Sequence, residues 1–443
     1  MLHLATWLSL LSAVLAAPSP LQQLPFHSPA AVHPLGDRVR LPASESAHLV
    51  ARLAELPKYD LARLEQHVHA WTGPRTVRLR AGNGQAGQVV KVTEGEKALL
   101  TLAGIRYVDI TAESDGDDDQ HPLLDANRYP SRLSHNLTTL SPLFETISLT
   151  TMKEFLVKFT GFHSRYYRSQ SGRDSQLFLL DHLKTLHRNL NPRANVSFRE
   201  FDHEWIQKSI IVRWEPRVKS KDYKDEVVIL SAHQDSTNSL PFLPAPGADD
   251  DASGTVTLIS TLTQLLSSRF EPVSNPIEFH FYSAEEGGLL GSGEIAKEYR
   301  AAGKSVRGMF HMDVVAYVKP GTKPVIGMIT DGTNSDLVGF MKLVVDEFAT
   351  IPYAETQCGY GCSDFASFTK YGFPSTCLAE GLFEDSNPNM HSMKDSINAE
   401  GYSLEHTREF VRVAIGYAVE LGGMERVSRR RGDDKHDGRW RME

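Results

Sequence analysis

Ala245-Pro246-Gly247-Ala248-Asp249-Asp250-Asp251-Ala252-Ser253-Gly254 sets three consecutive carboxylates between a Pro-Gly turn and the start of a helix. The helix reads from Ser253 to Phe270, with Val256, Ile259, Leu262 and Leu266 recurring on one face. Upstream, Val227-Val228-Ile229-Leu230-Ser231 is an apolar run of strand length that ends just before His233. Strand, polar loop and helix in that order make an α/β unit. Acidic residues at a helix start have an ordinary use, because the dipole and the free N–H groups there favour negative charge. That use accounts for one of the three and leaves the others to explain.

The same unit recurs along the chain. Ile277-Glu278-Phe279-His280-Phe281 runs into Ala284-Glu285-Glu286-Gly287, and Met309-Phe310-His311-Met312 runs into Asp313. Ile210-Ile211-Val212-Arg213-Trp214 is a further strand, and Ser335–Phe348 and Ser403–Leu421 are further helices. The alternation predicts an α/β three-layer sandwich, a mostly parallel mixed central sheet with helices on both faces. In open sheets of this kind, reactive residues gather just beyond the strand C-termini.

Taken in order, His233, Asp250, Glu285-Glu286, Asp313 and His391 give the series His, Asp, Glu-Glu, Asp, His. Any one of these alone has a bland reading: an acidic pair is ordinary surface, and a single His is an ordinary core or surface residue. Together they make a donor set. Imidazole nitrogen and carboxylate oxygen suit Zn²⁺, which keeps a coordination position open for water. Two such ions about 3.5–4 Å apart need a carboxylate shared between them, and one more carboxylate off the metals to take a proton. Asp235 reads as an exposed turn residue, or, two positions after His233, as the partner of its free imidazole N–H.

These residues resemble peptidase family M28, the co-catalytic zinc aminopeptidases, and are similar to the leucine-type enzymes secreted by fungi and to bacterial two-zinc enzymes. The resemblance covers roughly Tyr129 to Gly423 and is most specific over 245–254. It implies two zinc ions per chain bridged by Asp250, one also held by His233 and Asp313 and the other by Glu286 and His391. It further implies Glu285 as general base, Asp235 and Asp251 supporting the ligands from behind, and Tyr360 donating to the oxyanion from the loop Cys358-Gly359-Tyr360-Gly361-Cys362. The last ligand motif departs slightly, with Ser392 where Thr commonly follows the His. The implied activity is removal of an N-terminal residue, Leu or another large apolar one, from peptides with a free N-terminus. Carboxypeptidases, glutaminyl cyclases and receptor-like homologues without catalysis share the fold and stay open as alternatives.

Outside this series the chain is less specific. Met1–Ala16 reads as a secretory signal, with a short apolar core at Leu8–Leu15 and small residues Val14 and Ala16 at the cut. The expected setting is extracellular. A Cys358/Cys362 disulfide fits an oxidising compartment; a Cys-x₃-Cys pair also binds metal, but no second pair accompanies it. Cys377 lies in an apolar run and reads as a buried thiol. Asn136 and Asn195 stand in glycosylation sequons. Residues 17–118 form a small α+β unit: helices through Leu49–Leu56 and Leu61–Trp71, strands at 76–80 and 88–92, and a capped helix start at Thr93-Glu94-Gly95-Glu96. The resemblance makes it a propeptide, a folding aid or an inhibitor; the alternative is an accessory module. It ends at the acidic spacer Glu113–Asp119, an exposed linker of the sort proteases cut. The catalytic domain spans 119–425, and the charged tail 426–443 reads as disordered.

The net charge of −8 argues against nucleic acid as a partner. After the leader no run reaches the ~20 apolar residues of a membrane span, and a monomer is expected. Gly82-Asn83-Gly84-Gln85-Ala86-Gly87 matches a dinucleotide pattern but precedes a strand rather than a helix, so it reads as a hairpin loop. His203-Glu204-Trp205-Ile206-Gln207 lacks the second His of a zinc motif, and no G-x-S-x-G elbow is present. His280 and His311, inside apolar strands, read as satisfied core residues.

Overall fold

The computed structural model describes residues 43–79, 87–111, 129–268 and 270–424. The leader 1–16, the loop at 82–86, the spacer 113–119 and the tail 426–443 lie outside the described residues. The N-terminal unit is built from α1 (Ala43–Glu55), α2 (Lys58–Ala70), β1 (Pro74–Leu79), β2 (Val89–Thr93), α3 (Lys97–Leu102) and β3 (Tyr107–Asp109). Its antiparallel sheet has the order β2-β1-β3. In β2, exposed Val89 and Lys91 alternate with buried Val90 and Val92, the period of two that a half-buried strand requires. The helix start is capped reciprocally, Thr93 N–H donating to Glu96 Oε2 at 2.6 Å and Glu96 N–H to Thr93 Oγ1 at 3.2 Å.

The larger unit opens with α4 (Leu137–Phe144), α5 (Leu149–Phe159) and α6 (Gln170–Leu190). Then come β4 (Val196–Phe201), β5 (Ser209–Trp214), β6 (Val227–His233), α7 (Ala252–Ser267), β7 (Ile277–Tyr282), α8 (Leu290–Ala301) and β8 (Val306–Met312). It closes with β9 (Ile326–Ile329), α9 (Ser335–Phe348), β10 (Tyr353–Thr356), α10 (Phe365–Lys370), β11 (Ser375–Ala379) and α11 (Leu404–Gly422). The sheet order is β10-β9-β11-β8-β6-β7-β5-β4. Pairings β10/β9, β11/β8, β8/β6 and β6/β7 are parallel; β11/β9, β7/β5 and β5/β4 are antiparallel.

Helices cover both faces, as the alternation predicts. Val228, Leu230 and Ala232 of β6 point into a core shared with α5, α6, α7, α9 and α11, while Val227 and Ile229 point into a second core with α8 and α10. A strand buried on both sides reads as a continuous apolar run. Helix α7 stops at Ser267, short of the expected Phe270. No helix among the described residues is long and apolar enough to cross a membrane.

The two units meet along a charged seam. Glu94, 3% exposed, pairs with Arg75 at 2.7 Å, Lys97 at 3.3 Å and Arg168 of the larger unit at 2.9 Å, and accepts from the Tyr167 hydroxyl. Lys97 also pairs with Asp109 at 3.0 Å. Apolar contact continues beside it, with Leu240 buried in the N-terminal core and Arg63 stacked 4.3 Å over Phe242. Burial alone would raise the Glu94 carboxyl, but Lys97 and Arg168 outweigh it and hold the group at about 2.

A depressed carboxylate contributes stability above its unfolded value and loses it as pH falls through the folded one. Glu94→Gln should therefore cost on the order of 3 kcal/mol between pH 5 and 7. The gap to the parent protein should close between about pH 4.5 and 2. Unfolding measured against pH for both proteins checks this, and a gap that does not change with pH contradicts it.

Candidate active site

Strands β8, β6 and β7 are adjacent and parallel, so their C-terminal ends open on one edge. His233 is the last residue of β6, Asp313 follows β8, and Glu285 and Glu286 follow β7. Asp250 comes from the β6–α7 connection and His391 from the long segment after β11. Three of these turns are strained: Ala284, Val314 and His391 have φ of 62°, 49° and 56°. The Asp250–Asp251 peptide bond is cis.

One carboxylate ties three of the loops together. Asp251 caps α7 by accepting from Gly254 N–H at 2.8 Å, and it also accepts from His233 N–H at 3.1 Å and Val314 N–H at 3.3 Å. A Cβ at Gly254 would lie 2.5 Å from both Asp251 oxygens and from the Met312 carbonyl, so only glycine fits.

At the centre, the Asp250 carboxylate reaches both histidines. Its Oδ1 is 3.1 Å from His233 Nε2, and its Oδ2 is 3.0 Å from His391 Nε2. Asp313 Oδ1 stands 3.5 Å from His233 Nε2, and Glu286 Oε2 3.0 Å from His391 Nε2. Two donor groups result, His233/Asp250/Asp313 and Asp250/Glu286/His391, each with its ligand atoms within 4.8 Å of one another and Asp250 common to both. His233 Nε2, Asp313 Oδ1 and Glu286 Oε1 are buried and find no hydrogen-bond partner among the described residues. Orphaned buried donor atoms of nitrogen and carboxylate type fit a zinc pair.

The electrostatics follow from crowding. Burial would lower His391, but Glu286 and Asp250 outweigh it and hold the imidazole up at about 10. His233 is raised well above its ordinary value by Asp313, Asp235 and Asp250 against the same burial. Glu285, in neither donor group, is pushed well up by burial and then by Asp313, Asp364 and Glu286. The Asp235 carboxylate accepts from the N–H groups of Glu285 and Glu286, both at 3.2 Å. Its main-chain carbonyl lies 3.1 Å from His233 Nδ1, and its Oδ1 3.5 Å.

Tyr360 sits in the loop closed by a Cys358–Cys362 disulfide, whose Cys358 and Gly359 N–H groups donate to Asp331 at 3.0 and 2.7 Å. Beside it opens a cavity of about 260 Å³ lined by Glu285, Glu286, Tyr360, Met390 and His391, with Arg106 and Tyr107 of the N-terminal unit on its other wall. Asn136, the exposed N-cap of α4, and exposed Asn195 lie in other parts of the fold. Cys377 is a buried free thiol. His280 pairs with Glu278 at 2.7 Å, and His311 bridges Ser231 and Ser363 at 3.0 and 2.7 Å, so both are satisfied core residues.

Two supports went unread in the sequence. Fully buried Arg165 donates to the carbonyls of Gln234 and Gly247, both at 2.8 Å, and to that of Pro246, clamping the His233 loop to the Asp250 loop. Asp395 accepts from the N–H groups of Asp249 and Asp250, both at 3.0 Å. A lone Arg in Ser164-Arg165-Tyr166 carries no local signal; Asp395 carries a weak one, four residues after His391.

The pattern of peptidase family M28 matches residues 209–415. Leucine aminopeptidase 1 of Coccidioides posadasii is 39% identical over 342 residues, covering 74% of this chain and 86% of that protein. The chain belongs to peptidase family M28. Leucine aminopeptidase 1 of Emericella nidulans is 40% identical over 343 residues, covering 74% of this M28 chain and 85% of the relative. The LapA aminopeptidase of Legionella pneumophila superposes with a TM-score of 0.69 at 21% identity, over 80% of this chain and 100% of that one, a likeness of fold.

Arg165→Met would take the donor from the buried Gln234 carbonyl and the half-buried Pro246 carbonyl, at about 1–3 kcal/mol each when nothing replaces it, while the Gly247 carbonyl keeps the Ala252 N–H at 3.1 Å. A thermal melt should show a loss of about 2–6 kcal/mol, together with weakened metal retention on dialysis. An unchanged melt would show that the clamp is not needed.

Proposed function

We propose that this M28 peptidase is a secreted aminopeptidase that uses two zinc ions to remove N-terminal residues, large apolar ones foremost, from peptides with a free amine. Asp250 carries the reading, since it belongs to both donor groups and turns one oxygen toward each histidine. A carboxylate so shared is what a two-metal hydrolytic site needs. The relatives named leucine aminopeptidase support the direction of attack and the apolar preference. The leader pattern of 1–16 and the Cys358–Cys362 disulfide support secretion.

His233 and Asp313 would hold one ion and Glu286 and His391 the other, with Asp250 between. When bound, the ions would supply Lewis acidity, polarising the scissile carbonyl and acidifying the attacking water. Glu285, which lines the cavity and belongs to neither donor group, accepts the proton of the attacking water and returns it to the departing amine. Tyr360 donates to the oxyanion as it develops. Asp235, holding the N–H groups of Glu285 and Glu286, keeps the base and its neighbouring ligand in fixed relation. The N-terminal unit acts as a prosegment over the entrance, released by a cut in 113–119.

Leu-p-nitroanilide and its N-acetylated counterpart test the reading side by side, with and without chelator. Chelator-sensitive cleavage of the free-amine substrate alone is expected, and equal cleavage of both would refute an aminopeptidase. Glu285→Gln should keep both zinc ions and lose about 10²–10⁴-fold in kcat. Asp250→Asn should lose zinc. Near-normal turnover in the first variant, or full zinc in the second, would overturn the roles assigned.

A further inference from the structure

Resting on the two-metal reading, we propose that Arg106 is a built-in counter-cation that keeps the Asp250/Glu286/His391 position at low metal affinity while the N-terminal unit is docked. Arg106 lies in the turn between α3 and β3, and its Nη1 comes within 3.4 Å of His391 Nδ1 across a separation of 285 residues. The turn is held on both sides. Before it, Lys97 of α3 is locked into the Glu94 and Asp109 carboxylates. After it, the Asp109 N–H of β3 donates to the Gly288 carbonyl at 3.0 Å, two residues beyond Glu286. The guanidinium is thus delivered to the cavity that Glu285, Glu286, Tyr360 and His391 line from the other side.

Charge makes this contact and a bound ion antagonists. The guanidinium shares a cavity with Glu285, Glu286 and His391 and offsets part of the negative charge that would otherwise draw a divalent cation. It also stands 3.4 Å from the His391 ring whose other nitrogen would have to hold that cation, positive charge against positive charge. The His233/Asp250/Asp313 position does not include His391 and should feel Arg106 far less. Linkage is reciprocal, so metal at the second position must also loosen the grip of Arg106. Metal loading and release of the N-terminal unit become one coupled step.

The test uses the full-length chain, stripped of metal and titrated with zinc against a chromophoric chelator, which reads the two dissociation constants without reference to activity. Arg106→Met should bind the second zinc about tenfold or more tightly than the parent, with the first constant changed less than about threefold. Arg106→Gln, with the same loss of charge on a polar side chain, should reproduce the shift. Equal second constants in the parent and both variants would overturn the proposal. So would an equal tightening of both constants, which would report general loosening. If neither the parent nor a variant takes up a second zinc, the two-metal reading fails, and this inference falls with it.

Discussion

The structure is organised around a concentration of buried carboxylates at Asp250. Asp249, Asp251, Glu285, Glu286, Asp364, Glu380 and Asp395 are each pushed above their ordinary range, burial first and neighbouring negative charge in most cases after it. Asp250 alone is held low, because His233 and His391 outweigh its burial. So many acids cannot share a dry site unless their charge is met. Main-chain N–H groups meet part of it, as at Asp235, Asp251 and Asp395; Arg165 adds a buried positive charge and locks the loops between which the acids stand. The orphaned atoms of His233, Glu286 and Asp313 mark what protein groups do not meet, and divalent cations are the natural remainder.

Strand order supplies the geometry. Because β8, β6 and β7 run parallel and adjacent, three of the acid- and imidazole-bearing turns emerge side by side, while a longer return brings His391 back over them. Left-handed backbone at Ala284 and Val314 comes two residues past the ends of β7 and β8, whose packed strands anchor the entry to each turn, and at His391 the Ser239 N–H holds the carbonyl at 3.0 Å. The N-terminal unit then uses the same logic at a second place. Its seam with the larger unit is another buried ionic cluster, around Glu94, and one of its cations reaches the acidic centre.

Much of this was legible because it is local. The stretch 245–254, the strands feeding His233, Glu285 and Asp313, and the helix Ser335–Phe348 were all visible as apolar period and spacing, as was the reciprocal cap at Thr93 and Glu96. Helix ends were less so; α7 stops early because periodicity continues past the point where Ser268 turns extended. Arg165 and Arg106 were not legible as site residues, and Asp395 was so only weakly, as a carboxylate four residues after His391. Their contacts span 82, 285 and 146 residues, and no local pattern encodes a partner that far away. The order of residue types pointed to a two-metal donor set, but which residue holds which ion, and Glu285 as base, came only from the resemblance to peptidase family M28.

The central claim is that one carboxylate, Asp250, serves two metal positions. Anomalous diffraction at the zinc edge from zinc-loaded crystals measures that directly. Two peaks about 3.5–4 Å apart, each next to a different Asp250 oxygen, are the predicted result. A single peak, or two peaks with Asp250 touching only one, would contradict the account.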